Sequence, residues 1–158
     1  MIFKNRRYLP SITWAISLIT IGSVIGLATK NEIGGWYSTL TRSSLTPSNY
    51  IFSIVWPALY SLIGICGHRI YTSEPFKYLK SIKVLYVVQL VLNWMWSPLF
   101  FSHQVGLSLF VLCCMDIIVG VLIWLTYSRI KLVSYLLAPY FLWIIFATYL
   151  NAYIWLNN

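Results

Sequence analysis

The feature that most constrains this chain is the spacing of its charges. Residues 8–29 hold no Asp, Glu, Lys or Arg, nor do 49–68 or 132–158, and residues 84–127 hold one acid, Asp116. A helix crosses a bilayer with about 20 mostly apolar residues. Lipid offers no partners for backbone N–H and C=O groups, so runs of this length must satisfy themselves internally as helices. Barrel strands would be about ten residues long and alternate in polarity; these runs are too long and too continuously apolar. The stretch 84–127 accommodates two spans around a turn at Ser102-His103-Gln104-Val105-Gly106. Five spans are therefore expected, at about 8–29, 49–70, 80–101, 106–127 and 132–155, occupying residues 1–158 as a single domain. The expected class is an all-α membrane protein, a bundle of five transmembrane helices. Charged residues make up 9% of the chain, against roughly 25% in a soluble domain.

Lys and Arg gather in cytoplasmic loops. In this layout Lys4, Arg6, Arg7, Arg69, Lys77, Lys80, Lys83, Arg129 and Lys131 fall on one side, and only Lys30 and Arg42 on the other. That predicts the N-terminus inside, with the 30–48 connection and the C-terminus outside. The net charge of +8 then reads as a topology signal and an attraction to anionic membrane lipid. The basic residues lie in separate short segments, which argues against nucleic acid as a partner. The apolar run after the basic start exceeds the roughly 7–15-residue core of a signal peptide, so the first span is expected to be retained. The short N-terminus without a transit peptide points to a bacterial inner membrane, with the mitochondrial outer membrane as the alternative. Cys66, Cys113 and Cys114 fall within spans and read as packing residues, not as a disulfide framework.

The connection "KNEIGGWYSTLTRSSLTPS" (30–48) is the long one. Gly34-Gly35 should break a helix, and Trp36 and Leu40 could share the apolar stripe of a short interfacial turn, either capping the bundle or anchoring at the headgroups. Ser73-Glu74-Pro75 reads as a helix start before the third span. Gly22 and Gly26 form a small-xxx-small pair suited to close helix contact in the first span.

Polar side chains inside the spans carry the functional reading. Gln89, Asn93, Trp96, Ser97 and Phe100 share one helical face. Amides are costly in hydrocarbon, so that face should look into the bundle or a cavity. The second span repeats the pattern with Asn49, Ser53, Trp56, Tyr60 and Gly64, and the fifth with Pro139, Trp143, Phe146 or Ala147, Leu150 and Asn151. Three aromatic-plus-amide stripes turned to one interior would suit a large, flat, mostly apolar ligand with a few polar atoms. The bland alternative is that the amides bond across helices at about 0.6 kcal/mol each while the aromatics fill the core. Asp116 has no charged partner in another span and reads as a lone, partly solvated or protonated acid. His68 and His103 lie near membrane edges without metal-ligand spacing, and no nucleophile–base set, phosphate loop or paired carboxylates can be assembled. No catalytic residue, metal site or obligatory cofactor is expected.

The motifs "GWYSTLTRSSLTP" (35–47), "VWPALYSLIG" (55–64), "QLVLNWMWSPLFF" (89–101) and "PYFLWIIFATYLNAYIW" (139–155) resemble, in order and spacing, those of the TspO/translocator protein family, the tryptophan-rich sensory proteins or peripheral benzodiazepine receptors. The resemblance covers almost the whole chain. It implies a five-helix bundle, often a homodimer, with a pocket beneath the loop joining helices 1 and 2. It also implies porphyrin or a related tetrapyrrole as ligand, protoporphyrin IX or haem-like, which the protein would sense, sequester or translocate. Carried over by motif, the pocket residues would be Trp56, Asn93, Trp96, Phe100, Trp143, Ala147 and Leu150, with Gln89, Tyr60 and Trp36 supporting or covering them. Substituting Asn93 or Trp143 by Ala is then expected to weaken porphyrin binding. Two other readings are light-dependent breakdown of the bound porphyrin and strict transport, though no inverted repeat or ion-coupling pair is evident. The chain departs from the family pattern at Leu45, where an aromatic is usual, and at Val111, aligned with a common aspartate. No basic residue follows Tyr149 or Tyr153, which gives sterol binding little support.

Overall fold

Continuous apolar sequence becomes continuous helix. The computed structural model describes residues 9–158; Lys4, Arg6, Arg7 and the first residue of the first expected span, Tyr8, lie outside the described residues. The elements are α1 (Leu9–Gly34), α2 (Trp36–Thr39), α3 (Asn49–Tyr71), α4 (Leu79–Phe101), α5 (Val105–Tyr127) and α6 (Lys131–Asn157). All but α2 are long and apolar enough to cross a membrane, and no strand occurs among the described residues. The protein is a five-helix integral membrane protein.

The spanning helices close a ring in which α1 packs on α3 and α4, α3 on α6, α6 on α5 and α5 on α4. The first is the most peripheral, with Leu18 as its only buried residue. Its packing depends on close backbone approach. A Cβ on Gly64 would lie 2.6 Å from Ala15 Cα, and one on Gly67 would lie 2.6 Å from the Trp14 ring. Glycine is needed at both places for steric reasons. Gly22 meets the Tyr60 ring, whereas Gly26 has nothing within 4 Å. The expected Gly22/Gly26 contact pair is thus half right, and Gly64 seats α1 on α3 instead of lining a pocket.

Two boundaries differ from expectation. The first helix runs on to Gly34, five residues past its expected end at 29, and Gly34-Gly35 ends it as anticipated before the single turn of α2. Ser73-Glu74-Pro75 does not begin a helix: the Ser73 hydroxyl is turned back onto the end of α3, donating to Arg69 O at 2.6 Å. α4 starts at Leu79 after a turn closed by Leu79 N–H to Phe76 O. The half of the bundle around Trp14, Gly67, Tyr86 and Leu137 is solid: Tyr86 and Leu137 are fully buried, and the Tyr86 hydroxyl donates to Ile63 O at 2.9 Å. The other half is hollow.

Candidate functional site

The hollow half encloses a cavity of about 570 Å³ at the end where α1 finishes, walled by α1, α3, α4 and α6 and covered by α2. That volume lies within the roughly 300–1,000 Å³ usual for small-molecule sites. The fourth spanning helix, α5, contributes none of the lining. Proline interrupts α3 at Pro57 and α4 at Pro98, in each case beside the tryptophan stripe. Each removes one internal N–H, so the carbonyl four residues earlier, at Ser53 and at Trp94, loses its helical donor.

Helical periodicity puts Trp56 and Tyr60 on one face of α3, and Asn93, Trp96 and Phe100 on one face of α4. The fold stands these faces opposite each other. Trp56 and Trp96 have ring centroids 6.2 Å apart, Trp96 stacks on Phe100 at 5.7 Å, and Trp56 meets Tyr60 at 5.6 Å. The result is an aromatic wall running from the cavity floor to its cover. Trp96 is aimed by Asn151, whose Oδ1 accepts from Trp96 Nε1 at 3.2 Å and from the Ser108 hydroxyl at 2.9 Å. The Asn151 amide also donates to Val105 O at 2.9 Å, tying α6 to the first turn of α5. Asn151 therefore acts as a bracket for the wall.

The floor is polar. The Tyr60 hydroxyl donates to Asn93 Oδ1 at 2.6 Å, Asn93 Nδ2 donates to the Tyr140 oxygen at 3.0 Å, and the Tyr140 hydroxyl donates to Gln89 Oε1 at 3.0 Å. An amide held this way satisfies the demand that buried polar groups be paired. Gln89 is fully buried behind the floor and does not line the cavity.

The cover is fastened at several points. Asn158 grips the Thr41 backbone with Thr41 N–H to Oδ1 at 2.8 Å and Nδ2 to Thr41 O at 3.2 Å. Ser43, buried in the loop, bonds the Tyr149 hydroxyl at 2.8 Å. Trp36 lies edge-on to Phe100 at 5.5 Å and stacks on His103 at 4.3 Å, and His103 Nε2 stands 3.5 Å from Glu32 Oε2. His103 has φ 65° and occupies the left-handed position of a Schellman turn, with His103 N–H to Phe100 O at 3.0 Å and Gln104 N–H to Leu99 O at 3.1 Å. Glycine is usual there; in this chain the ring is used to hold the cover.

Of the residues singled out from the sequence, Trp56, Tyr60, Asn93, Trp96, Phe100, Ala147 and Leu150 all line the cavity. Trp143 does not. Its ring packs on Phe52, which does line it, at 5.6 Å and on Phe146 at 5.9 Å. Trp36 sits outside, bearing on the wall through Phe100. Asp116 lies away from the cavity between α5 and α6, accepting from the Thr148 hydroxyl at 2.8 Å. Residues that sequence reasoning passed over include the α1 wall (Ile19, Ile25, Ile33), the cover residue Tyr37 and the floor partner Tyr140. Tyr140 was within reach, because it stands seven residues before Ala147 on the same stripe. The α1 wall carries no aromatic, and its polar residues Ser23, Thr29 and Lys30 do not form an aromatic-plus-amide stripe.

A tryptophan-walled cavity with an amide floor, set between the first, second, third and fifth spanning helices, is the arrangement the four motifs implied. Residues 13–156 match the sequence profile of the TspO/MBR family. The chain belongs to that family. It is 35% identical over 144 residues to the tryptophan-rich protein TspO of Archaeoglobus fulgidus, covering 90% of this chain and 93% of the relative. It is 32% identical over 152 residues to the translocator protein of Sus scrofa, at 91% and 89% coverage. Against the tryptophan-rich protein TspO of Chlorobaculum tepidum it is 32% identical over 135 residues, at 84% and 85%. As a TspO/MBR protein whose matched region takes in all four cavity walls, it keeps Trp56, Trp96 and Asn93 of the motifs at the cavity surface.

Proposed function

We propose that this protein binds flat, largely apolar tetrapyrroles in the cavity and senses, sequesters or translocates them. The observation that carries the reading is the shape and chemistry of the cavity: an aromatic wall of Trp56, Trp96 and Phe100 over a floor whose polar atoms belong to Tyr60 and Asn93. A ring system slides against aromatic faces with dispersion and quadrupole complementarity, while a few polar groups fix its orientation. Lys30 lines the mouth and would meet a carboxylate on the ligand's rim. Release requires the cover to give up its contacts with Asn158, Tyr149 and His103. The name of the Sus scrofa relative, translocator protein, supports a role that includes moving what is bound.

The test is quenching of tryptophan fluorescence by protoporphyrin IX in detergent, for the wild type, Asn93→Ala and Trp143→Ala. Losing the floor hydrogen bonds should weaken binding about 3- to 10-fold in Asn93→Ala. Trp143→Ala should weaken it less, because Trp143 acts through Phe52. Non-saturable quenching, identical in all three, would mean surface partitioning and would sink the proposal. Product formation under illumination, and flux into sealed vesicles against empty ones, separate breakdown and transport from binding alone.

A further inference from the structure

The floor hydrogen bonds form one unbranched chain with a direction. Protons point from Tyr60 to Asn93, from Asn93 to Tyr140, and from Tyr140 to Gln89. All four residues are buried, and only Tyr60 and Asn93 reach the cavity. At the far end Gln89 Nε2 is buried with no acceptor among the described residues. In this sense the Tyr60 proton is consumed inside the chain, and the phenol oxygen turns lone pairs toward the cavity.

The same side chains support the opposite sense. The two ends of a carboxamide are nearly identical in shape, and a phenol both donates and accepts. With both amides turned over, Gln89 Nε2 donates to Tyr140, Tyr140 to Asn93 Oδ1 and Asn93 Nδ2 to Tyr60. The Tyr60 O–H is then released to the cavity. As many internal bonds exist after reversal as before, so only the ends differ. The buried orphan changes from an N–H to a carbonyl, which is the easier group to leave unpaired. The cavity end changes from an acceptor to a donor that needs a partner. The Tyr60–Asn93 separation of 2.6 Å suits O–H···O and would open by about 0.3 Å for N–H···O. Two senses this closely matched leave the deciding interaction to the occupant of the cavity.

We propose that the chain is a reversible specificity element, in which Gln89 and Tyr140 are positioning residues that set whether Tyr60 offers the ligand a lone pair or a proton. The inference rests on the cavity being the ligand site. A ligand placing a carbonyl, ester or carboxylate oxygen at Tyr60 draws the chain into the reversed sense; one placing an N–H or hydroxyl there uses the sense described above. One rigid pocket thereby serves both polarities without backbone movement.

Gln89→Met tests this, because it keeps volume while removing the acceptor for Tyr140. The Tyr140 proton is left with Asn93 Oδ1, which locks the reversed sense and makes Tyr60 a donor. The probes are protoporphyrin IX dimethyl ester, whose rim carries acceptor oxygens only, and etioporphyrin, the same macrocycle with alkyl groups alone. Gln89→Met should raise the ester-to-alkyl affinity ratio about 3- to 10-fold, and adding Tyr60→Phe should abolish the gain. A merely structural role for Gln89 would lower both affinities and leave the ratio unmoved. The Raman tyrosine doublet, read as the difference on Tyr60→Phe substitution, should pass from a donating to an accepting phenol in Gln89→Met without ligand. Saturable binding with an unchanged ratio and an unchanged doublet overturns this inference alone. Absence of saturable binding of either porphyrin to the wild type overturns the ligand site and this inference with it. Gln89→Leu carries the same test if Gln89→Met does not fold.

Discussion

Replacing Gly64 by alanine should separate α1 from the rest of the bundle. The added methyl would stand 2.6 Å from Ala15 Cα and 2.7 Å from Ala15 N, whereas carbon contacts settle at about 3.5–4.0 Å. The neighbours are backbone atoms, so no rotamer change relieves the overlap, and α1 must retreat by about 1 Å. Overpacking a close interface costs about 1–3 kcal/mol. With rigid backbone on the other side, a loss of about 2–3 kcal/mol is expected. Little holds α1 back, since Leu18 is its only buried residue. Because Ile19, Gly22 and Ile33 of that helix wall the cavity, porphyrin affinity should fall with stability. Gly26→Ala is the control: nothing lies within 4 Å of its Cβ position, and the change should stay within about 0.5 kcal/mol. Reversible unfolding in mixed SDS–detergent micelles, followed by tryptophan fluorescence, measures both. If Gly64→Ala proves as stable as the wild type, or if the two glycines cost the same, the argument from close approach fails.

Other predictions follow from the cover and the mouth of the cavity. Lys30→Ala should weaken protoporphyrin IX by about 2- to 5-fold at low salt, as for an exposed ion pair, and leave its dimethyl ester unaffected in the same quenching titration. His103→Gly relieves a left-handed residue, worth about 1 kcal/mol, while losing the stack on Trp36 at 4.3 Å; stability should hold or rise while porphyrin release, followed by stopped-flow fluorescence, becomes faster. The excess of Lys and Arg at the end opposite the cavity predicts that the mouth faces outside. A cysteine at Ser44 should accordingly react with a membrane-impermeant thiol reagent in intact cells, and one at Thr72 only after lysis.

Much of the architecture was legible because lipid is an undemanding solvent for side chains and a severe one for backbone. Continuous apolar runs must be helices, so the spans could be located to within a few residues; the exception is the end of α1, where Lys30 and Glu32 suggested a loop but the helix continues to Gly34. Periodicity then grouped Trp56 with Tyr60, and Asn93 with Trp96 and Phe100, whatever surrounds them. The same solvent hid other features. In water, the apolar face of a helix marks its buried side; in a membrane both sides are apolar, and nothing in Ile19 or Ile33 says which way it faces. Glycine was similarly ambiguous: Gly26 and Gly64 look alike in sequence, yet one borders open space and the other touches a neighbouring backbone.

The sequence by itself determined the number of spans, the separation of basic residues between the two ends and the residue types able to meet a flat ring, because these depend on local composition and helical period. Tertiary structure alone decided that Trp143 stands behind Phe52, that Asn151 aims Trp96, and that Tyr140 links Asn93 to Gln89. Those relations depend on how far each helix is rotated and shifted against its neighbours, and in this bundle that is set by a few close contacts such as Gly64 on Ala15, which hydropathy does not register.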